Sequence, residues 1–164
     1  MSFSRNEFMN ALNLLAERLP EFSESRAANA RLLRITSDRM SAHINESLKD
    51  FGLSENLLYA LLAVYVSPNC QILPSRLSDL LDLTRTSATR LSDEMVEHGW
   101  VVRHINEQDR RQIVLSLTEK GETFIKDMNA KNPLSRNDLW VDFSDEELDQ
   151  FQSLLFKLLS RLGG

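Results

Sequence analysis

Two stretches of this sequence concentrate side chains able to hold a polyanion. Leu83–Ser92 reads LTRTSATRLS, with Arg85, Thr86, Ser87, Thr89 and Arg90 and no acid. Arg110 and Arg111 stand side by side directly after Asp109. Guanidinium groups bond bidentately to phosphate or to guanine O6 and N7, and Ser or Thr hydroxyls reach base edges and phosphates. Asp109 beside such a pair can orient an arginine through a charge-assisted hydrogen bond. Catalysis has no comparable set. Paired catalytic carboxylates, a nucleophile beside a base and a Gly-rich phosphate loop are all missing as motifs. Cys70 is the single cysteine, and His43, His98 and His104 do not repeat at ligand spacing. No metal, cofactor or enzymatic activity is expected.

The 164 residues carry 19 Lys and Arg against 24 Asp and Glu, net −5. That balance argues against a protein that coats nucleic acid indiscriminately. Two cationic points on an acidic body suit a site-specific binder better. The length suits one domain with helical extensions. No apolar run approaches the roughly 20 residues of a membrane span, and the first residues lack a signal-peptide layout. A soluble cytoplasmic protein with no membrane partner is expected.

Most of the chain reads as helix. Asn6–Arg18 places Phe8, Leu12 and Leu15 on one side and ends before Pro20. Ser25–Asp50 carries Leu33, Met40, Ile44, Leu48 and Phe51 at helical steps, with Gly52 to end it. Ser54 can cap a third helix, apolar on most sides through Leu57, Leu58, Leu61, Leu62 and Val64, until Ser67-Pro68-Asn69 breaks it. Pro74 opens a short helix with Leu77, Leu80 and Leu81 facing inward. A brief turn leads to Thr84, the expected N-cap of Arg85–His98, and Gly99 ends that helix. Trp100–Ile105 and Gln112–Leu117 are β-rich runs around polar Asn106–Arg111, a hairpin. Thr118 can cap a helix through Phe124, Ile125 and Met128 that Asn132-Pro133 stops.

The last helix opens on a capping box, Ser144 with Glu147. Behind it Leu148, Phe151, Leu155, Leu158 and Leu162 alternate by three and four, the seam of helix pairing, widened by Leu154, Phe156 and Leu159. A partner subunit is expected there.

Helix, turn, helix and hairpin is the order of a winged helix-turn-helix. In that design the second helix enters the DNA major groove by its N-terminal end, and the hairpin touches the flanking backbone or minor groove. The wheel of Arg85–His98 agrees: Ala88, Leu91, Met95 and His98 share an inward face, while Thr86 and Arg90 centre the other. Its cations sit in the first half and Asp93, Glu94 and Glu97 in the second, a distribution that presents the favourable helix end to phosphate. An arginine at the hairpin tip can enter a narrow minor groove. The expected fold is mainly α with a small β-hairpin, a winged helix-turn-helix with N- and C-terminal dimerisation helices. Residues 1–50 would contribute to dimerisation, 51–118 form the DNA-binding domain (helix-turn-helix about 74–98, wing about 100–117), and 119–164 form the C-terminal dimerisation helices.

The joined pattern TRL…GW…DRR…LTEKG, running from Thr84 to Gly121, resembles the MarR family of bacterial regulators. The likeness spans roughly residues 31–164 and is strongest to the EmrR (MprA) branch of multidrug-efflux repressors. It implies a homodimer binding a pseudo-palindromic double-stranded operator, with terminal helices pairing. Arg85, Thr86, Ser87, Thr89 and Arg90 match the recognition helix, Asp109, Arg110 and Arg111 the wing tip, and Ser75 and Arg76 the start of the preceding helix. Thr84 stands where some members carry an acid that pairs with a wing arginine, so that lock is not expected. The resemblance also implies a small aromatic or amphipathic effector, for which Arg34, Met40, His43, Tyr59 and Tyr65 are candidate lining residues. The expected function is a ligand-responsive repressor of efflux or stress-response genes. The alternatives are an activator, an oxidant sensor acting through Cys70, and a winged helix used for protein pairing without DNA.

Overall fold

The structure, a computed structural model, describes residues 4–106, 109–131 and 138–163. Glu107 and Gln108 of the expected turn, and the Asn132-Pro133 stop signal, lie outside those residues. The chain divides into two compact units, Met1–Glu55 and Asn56–Gly164.

In the first unit α1 spans Arg5–Arg18, and the Ser4 side chain accepts from the Glu7 N–H as its N-cap. Helix α2 spans Glu24–Leu48 and tightens into a single 3-10 turn, Lys49–Phe51. Gly52 then takes φ 67°, the left-handed conformation that releases the chain from the helix. Leu12, Ala28, Ile44 and Leu48 are buried. Leu33 and Met40, expected on the same stripe, are each 38% exposed. The Asn45 side-chain oxygen accepts from the Glu55 N–H at 2.9 Å, satisfying an orphan donor where α3 begins.

In the second unit α3 (Glu55–Val66) buries Leu57, Leu58, Ala60, Leu61, Ala63 and Val64, as its dense apolar content predicts. The chain then turns through Asn69 and Cys70, both at positive φ, into a strand the sequence did not announce. This β1 is only Gln71–Ile72, too short to show an alternation. It lies antiparallel to β3 (Ile113–Leu117), whose other edge pairs with β2 (Val101–Ile105), giving the order β1-β3-β2. The expected hairpin is therefore two thirds of a sheet.

Between β1 and β2 lie α4 (Pro74–Leu80) and α5 (Arg85–Glu97). Leu77 is fully buried, but Leu80 is 53% exposed, and Ser78 takes the inward place instead. The Ser78 hydroxyl is satisfied by donating to the Ser75 carbonyl at 2.7 Å. Asp82 accepts positive φ in the turn, a conformation that short polar side chains tolerate.

Helix α6 (Glu119–Lys131) is locked to the base of the hairpin. The Thr118 hydroxyl donates towards the Gly99 and Trp100 carbonyls and accepts from the Gly121 N–H. A Cβ on Gly121 would stand 2.3 Å from the Trp100 carbonyl oxygen, so only glycine lets the helix approach this closely. His98, Trp100 and Phe124 stack in series, with ring centroids 4.1 and 4.3 Å apart. A single turn, Asp138–Trp140, precedes α7 (Asp145–Arg161). Its capping box forms as expected, with reciprocal Ser144–Glu147 bonds at 2.9 and 3.3 Å. Bonds from its own backbone N–H and from Ser144 hold the Glu146 carboxyl below the usual range. Among the described residues no helix is long and apolar enough to cross a membrane.

Candidate nucleic-acid interface

Thr84 caps α5, its side chain accepting from the Ser87 N–H at 3.1 Å, and the Thr84 and Ser87 hydroxyls lie 2.9 Å apart. The cap takes the Ser87 N–H and leaves those of Arg85 and Thr86 without an intrahelical acceptor at the positive end of the helix dipole. Ala88, Leu91, Ser92 and Met95 form the buried face, Ser92 donating to the Ala88 carbonyl at 2.7 Å. With that face fixed by the core, Arg85, Thr86, Thr89 and Arg90 must stand in solvent, and all four are exposed. Thr89 bonds back to the Arg85 carbonyl at 2.9 Å.

Arg90 is not idle. Its guanidinium meets Glu94 at 3.2 Å, one turn on. Helix-wheel reasoning assigned Glu94 to the half that points away from a ligand, and so missed this partner. The i,i+4 spacing was the available signal. On α4, Ser75 is half-buried with its carbonyl engaged by Ser78, and Arg76 is exposed.

At the wing tip Asp109 works differently from the expectation. Its carboxylate accepts from the Arg111 backbone N–H at 3.1 Å, and its carbonyl accepts from the Gln112 N–H at 2.9 Å. Asp109 thus shapes the turn that presents Arg110 and Arg111 and does not grip a guanidinium in this conformation. Asn106 closes the ribbon beneath, its N–H donating to the Gln112 carbonyl at 2.9 Å. Arg110 and Arg111 are exposed.

One ion pair joins the two cationic sites. Arg103 of β2 meets Asp93 of α5 at 2.6 Å. No acid at Thr84 supplies a helix–wing lock, but this pair does so from a position the sequence reading overlooked. It also sets direction. The chain reverses at Gly99, φ 71°, and two residues along β2 past Val101 bring Arg103 level with a residue four before the end of α5. Two strand residues and four helical residues each advance about 6 Å. The start of the ribbon therefore runs back alongside α5 at least as far as Asp93.

The remaining candidates lie on α2, α3, the turn after α3, and α7. Arg34, Met40 and His43 are exposed on α2, where nine residues set Arg34 about half a turn away from His43. Tyr59 and Tyr65 sit on α3, six residues apart, and so leave it on different sides. The Cys70 thiol is half-buried and donates to the Tyr65 carbonyl at 3.4 Å. Every member of the proposed pairing seam remains accessible. Leu148 is half-buried, while Phe151, Leu155, Leu158 and Leu162 range from 37% to 76% exposed.

Residues 51–112 match the MarR family model. The chain is 35% identical over 151 residues to the transcriptional repressor MprA of Escherichia coli strain K12, covering 92% of this chain and 86% of that one. Two solved structures from Streptomyces coelicolor share its fold. The MarR family transcriptional regulator AbsC has a TM-score of 0.79 at 19% identity, covering 87% of this chain and 97% of its own. Sco3205, a MarR family transcriptional regulator solved in complex with DNA, has a TM-score of 0.80 at 16% identity, covering 87% and 91%.

Proposed function

The chain belongs to the MarR family, and from that premise we propose that it is a sequence-specific transcriptional repressor that binds double-stranded operator DNA as a homodimer. One observation carries this reading: the Asp93–Arg103 ion pair ties the ribbon that bears Arg110 and Arg111 to the helix whose first turns expose Arg85 and Arg90. A duplex offers the matching surfaces, a major groove for the helix and an adjacent minor groove for the tip. Arg85, Thr86, Ser87, Thr89 and Arg90 read or touch the major groove, with Arg90 exchanging Glu94 for a base edge. Ser75 and Arg76 meet the backbone at the start of α4. Asp109 holds the turn that delivers Arg110 and Arg111 to the minor groove.

Pairing of α7 through Leu148, Phe151, Leu155, Leu158 and Leu162, with the N-terminal helices contributing, sets two recognition helices about 34 Å apart for a pseudo-palindrome. We assign residues 1–50 and 119–164 to pairing and 51–118 to DNA. An aromatic or amphipathic effector, met by residues such as Met40 and His43, releases the operator by favouring a different separation, and only to the extent of its differential affinity. Similarity to MprA supports a role in the cytoplasm in multidrug resistance.

The test is retardation of promoter fragments across a salt series. Wild type should bind with log K falling linearly against log salt, and Arg110→Ala with Arg111→Ala should flatten that slope. Unretarded fragments in dilute buffer would refute the reading.

A further inference from the structure

The pairing register puts Ile105 directly opposite Ile113 at the outer end of the ribbon, on the face that carries Val101, Arg103, Leu115 and Leu117 further in. That face looks at α5, because Arg103 reaches Asp93 from it. Its inner positions are covered, Val101 at 1% and Leu115 at 0% exposure, whereas Ile105 is 58% and Ile113 43% exposed. Two β-branched apolar side chains thus stand side by side on the α5-facing side of the ribbon, next to the Asn106–Gln112 closure and the arginine pair.

Resting on the DNA-binding reading above, we infer that Ile105 and Ile113 form an apolar saddle for the deoxyribose rings of one DNA strand. With α5 in a major groove and the ribbon tip in the neighbouring minor groove, the sugar–phosphate ridge separating the two grooves has to cross between them, past the α5-facing side of the ribbon. The ridge presents anionic oxygens outward and ring C–H groups along its walls. Arg110 and Arg111 meet the oxygens, and the isoleucine pair meets the sugars. Charge complementarity between the adjacent arginine pair and the strand's phosphates selects this occupant, and a second protein chain is left as an outcome of the test. The contact is with sugar and not with base, so it adds affinity for duplex DNA without sequence preference. It removes apolar area from water and neutralises no phosphate, so it leaves the salt dependence alone.

The experiment replaces both residues by threonine, which keeps β-branching and strand preference on an exposed surface, and by valine as the conservative control. Operator-fragment affinity is measured across a salt series, with melting temperature and sedimentation alongside. Ile105→Thr with Ile113→Thr should weaken binding about tenfold at every salt concentration, with the slope, melting temperature and oligomeric state of wild type. Ile105→Val with Ile113→Val should stay within about twofold. Unchanged affinity in the threonine variant overturns the saddle. A shallower slope overturns it too, since the loss would then come from displaced arginines, and a change in oligomeric state assigns the pair to a protein interface. If wild type itself fails to retard DNA, the DNA-binding reading falls and takes the saddle with it.

Discussion

Helices α5 and α7 are both amphipathic, yet the chain treats their apolar faces in opposite ways. On α5, Ala88, Leu91 and Met95 are at most 1% exposed. On α7 no residue is buried, although its capping box and its alternating Leu and Phe residues are the more regular pattern. The difference teaches that periodicity reports a demand for burial without saying who meets it. For α5 the core meets it, which fixes the helix's rotation and forces Arg85, Thr86 and Arg90 into solvent. For α7 no described residue meets it, and the second copy proposed above would do so, because a paired helix offers the same stripe in return.

Breaking the open side of that comparison should have the largest effect. Leu155→Asp with Leu158→Asp places charges in the pairing seam, and sedimentation should show single subunits. Operator affinity should then fall by about 100-fold or more, as two half-sites lose their linkage. A dimer that survives this change would show that α7 is not the seam.

The closed side depends on what holds α5 and the ribbon in register. Gly121→Ala puts a methyl 2.3 Å from the Trp100 carbonyl oxygen. It should destabilise the fold by about 1–3 kcal/mol, read as a lower denaturation midpoint. Cutting the helix–wing tie is subtler. Arg103 is 36% and Asp93 59% exposed, so Asp93→Asn should cost stability under about 1 kcal/mol. Its operator affinity should still fall several-fold, because the wing loses its bearing on the helix. Equal affinity would reduce the pair to a solvated contact.

The smallest effect is expected at Glu94. Releasing Arg90 with Glu94→Gln removes a competing carboxylate and should tighten binding about two- to threefold at low salt. Weaker binding would instead make Glu94 the group that aims Arg90.

These elements also mark where the sequence was legible. The helices, the hairpin and the caps at Thr84, Thr118 and Ser144 follow from local chemistry and were readable. The wheel placed Ala88, Leu91 and Met95 correctly because one face of a helix is a local property. Strand β1 was hidden, since two residues carry no period and its pairing with β3 spans more than forty positions. Leu80 was misplaced because apolar spacing on a seven-residue helix cannot separate the covered side from its edge. The candidate interface divides in the same way. The residues of α5 and the wing tip could be named from type and spacing. The contacts Arg90–Glu94, Arg103–Asp93 and Asp109 to the Arg111 N–H depend on side-chain direction, which spacing alone does not fix.

The central claim is a twofold reader of duplex DNA, and selection of bound sequences from a random DNA pool tests it most directly. The enriched sequences should contain an inverted repeat with half-site centres about 10 base pairs apart. A single asymmetric motif, or a pool no different from its input, would contradict the account.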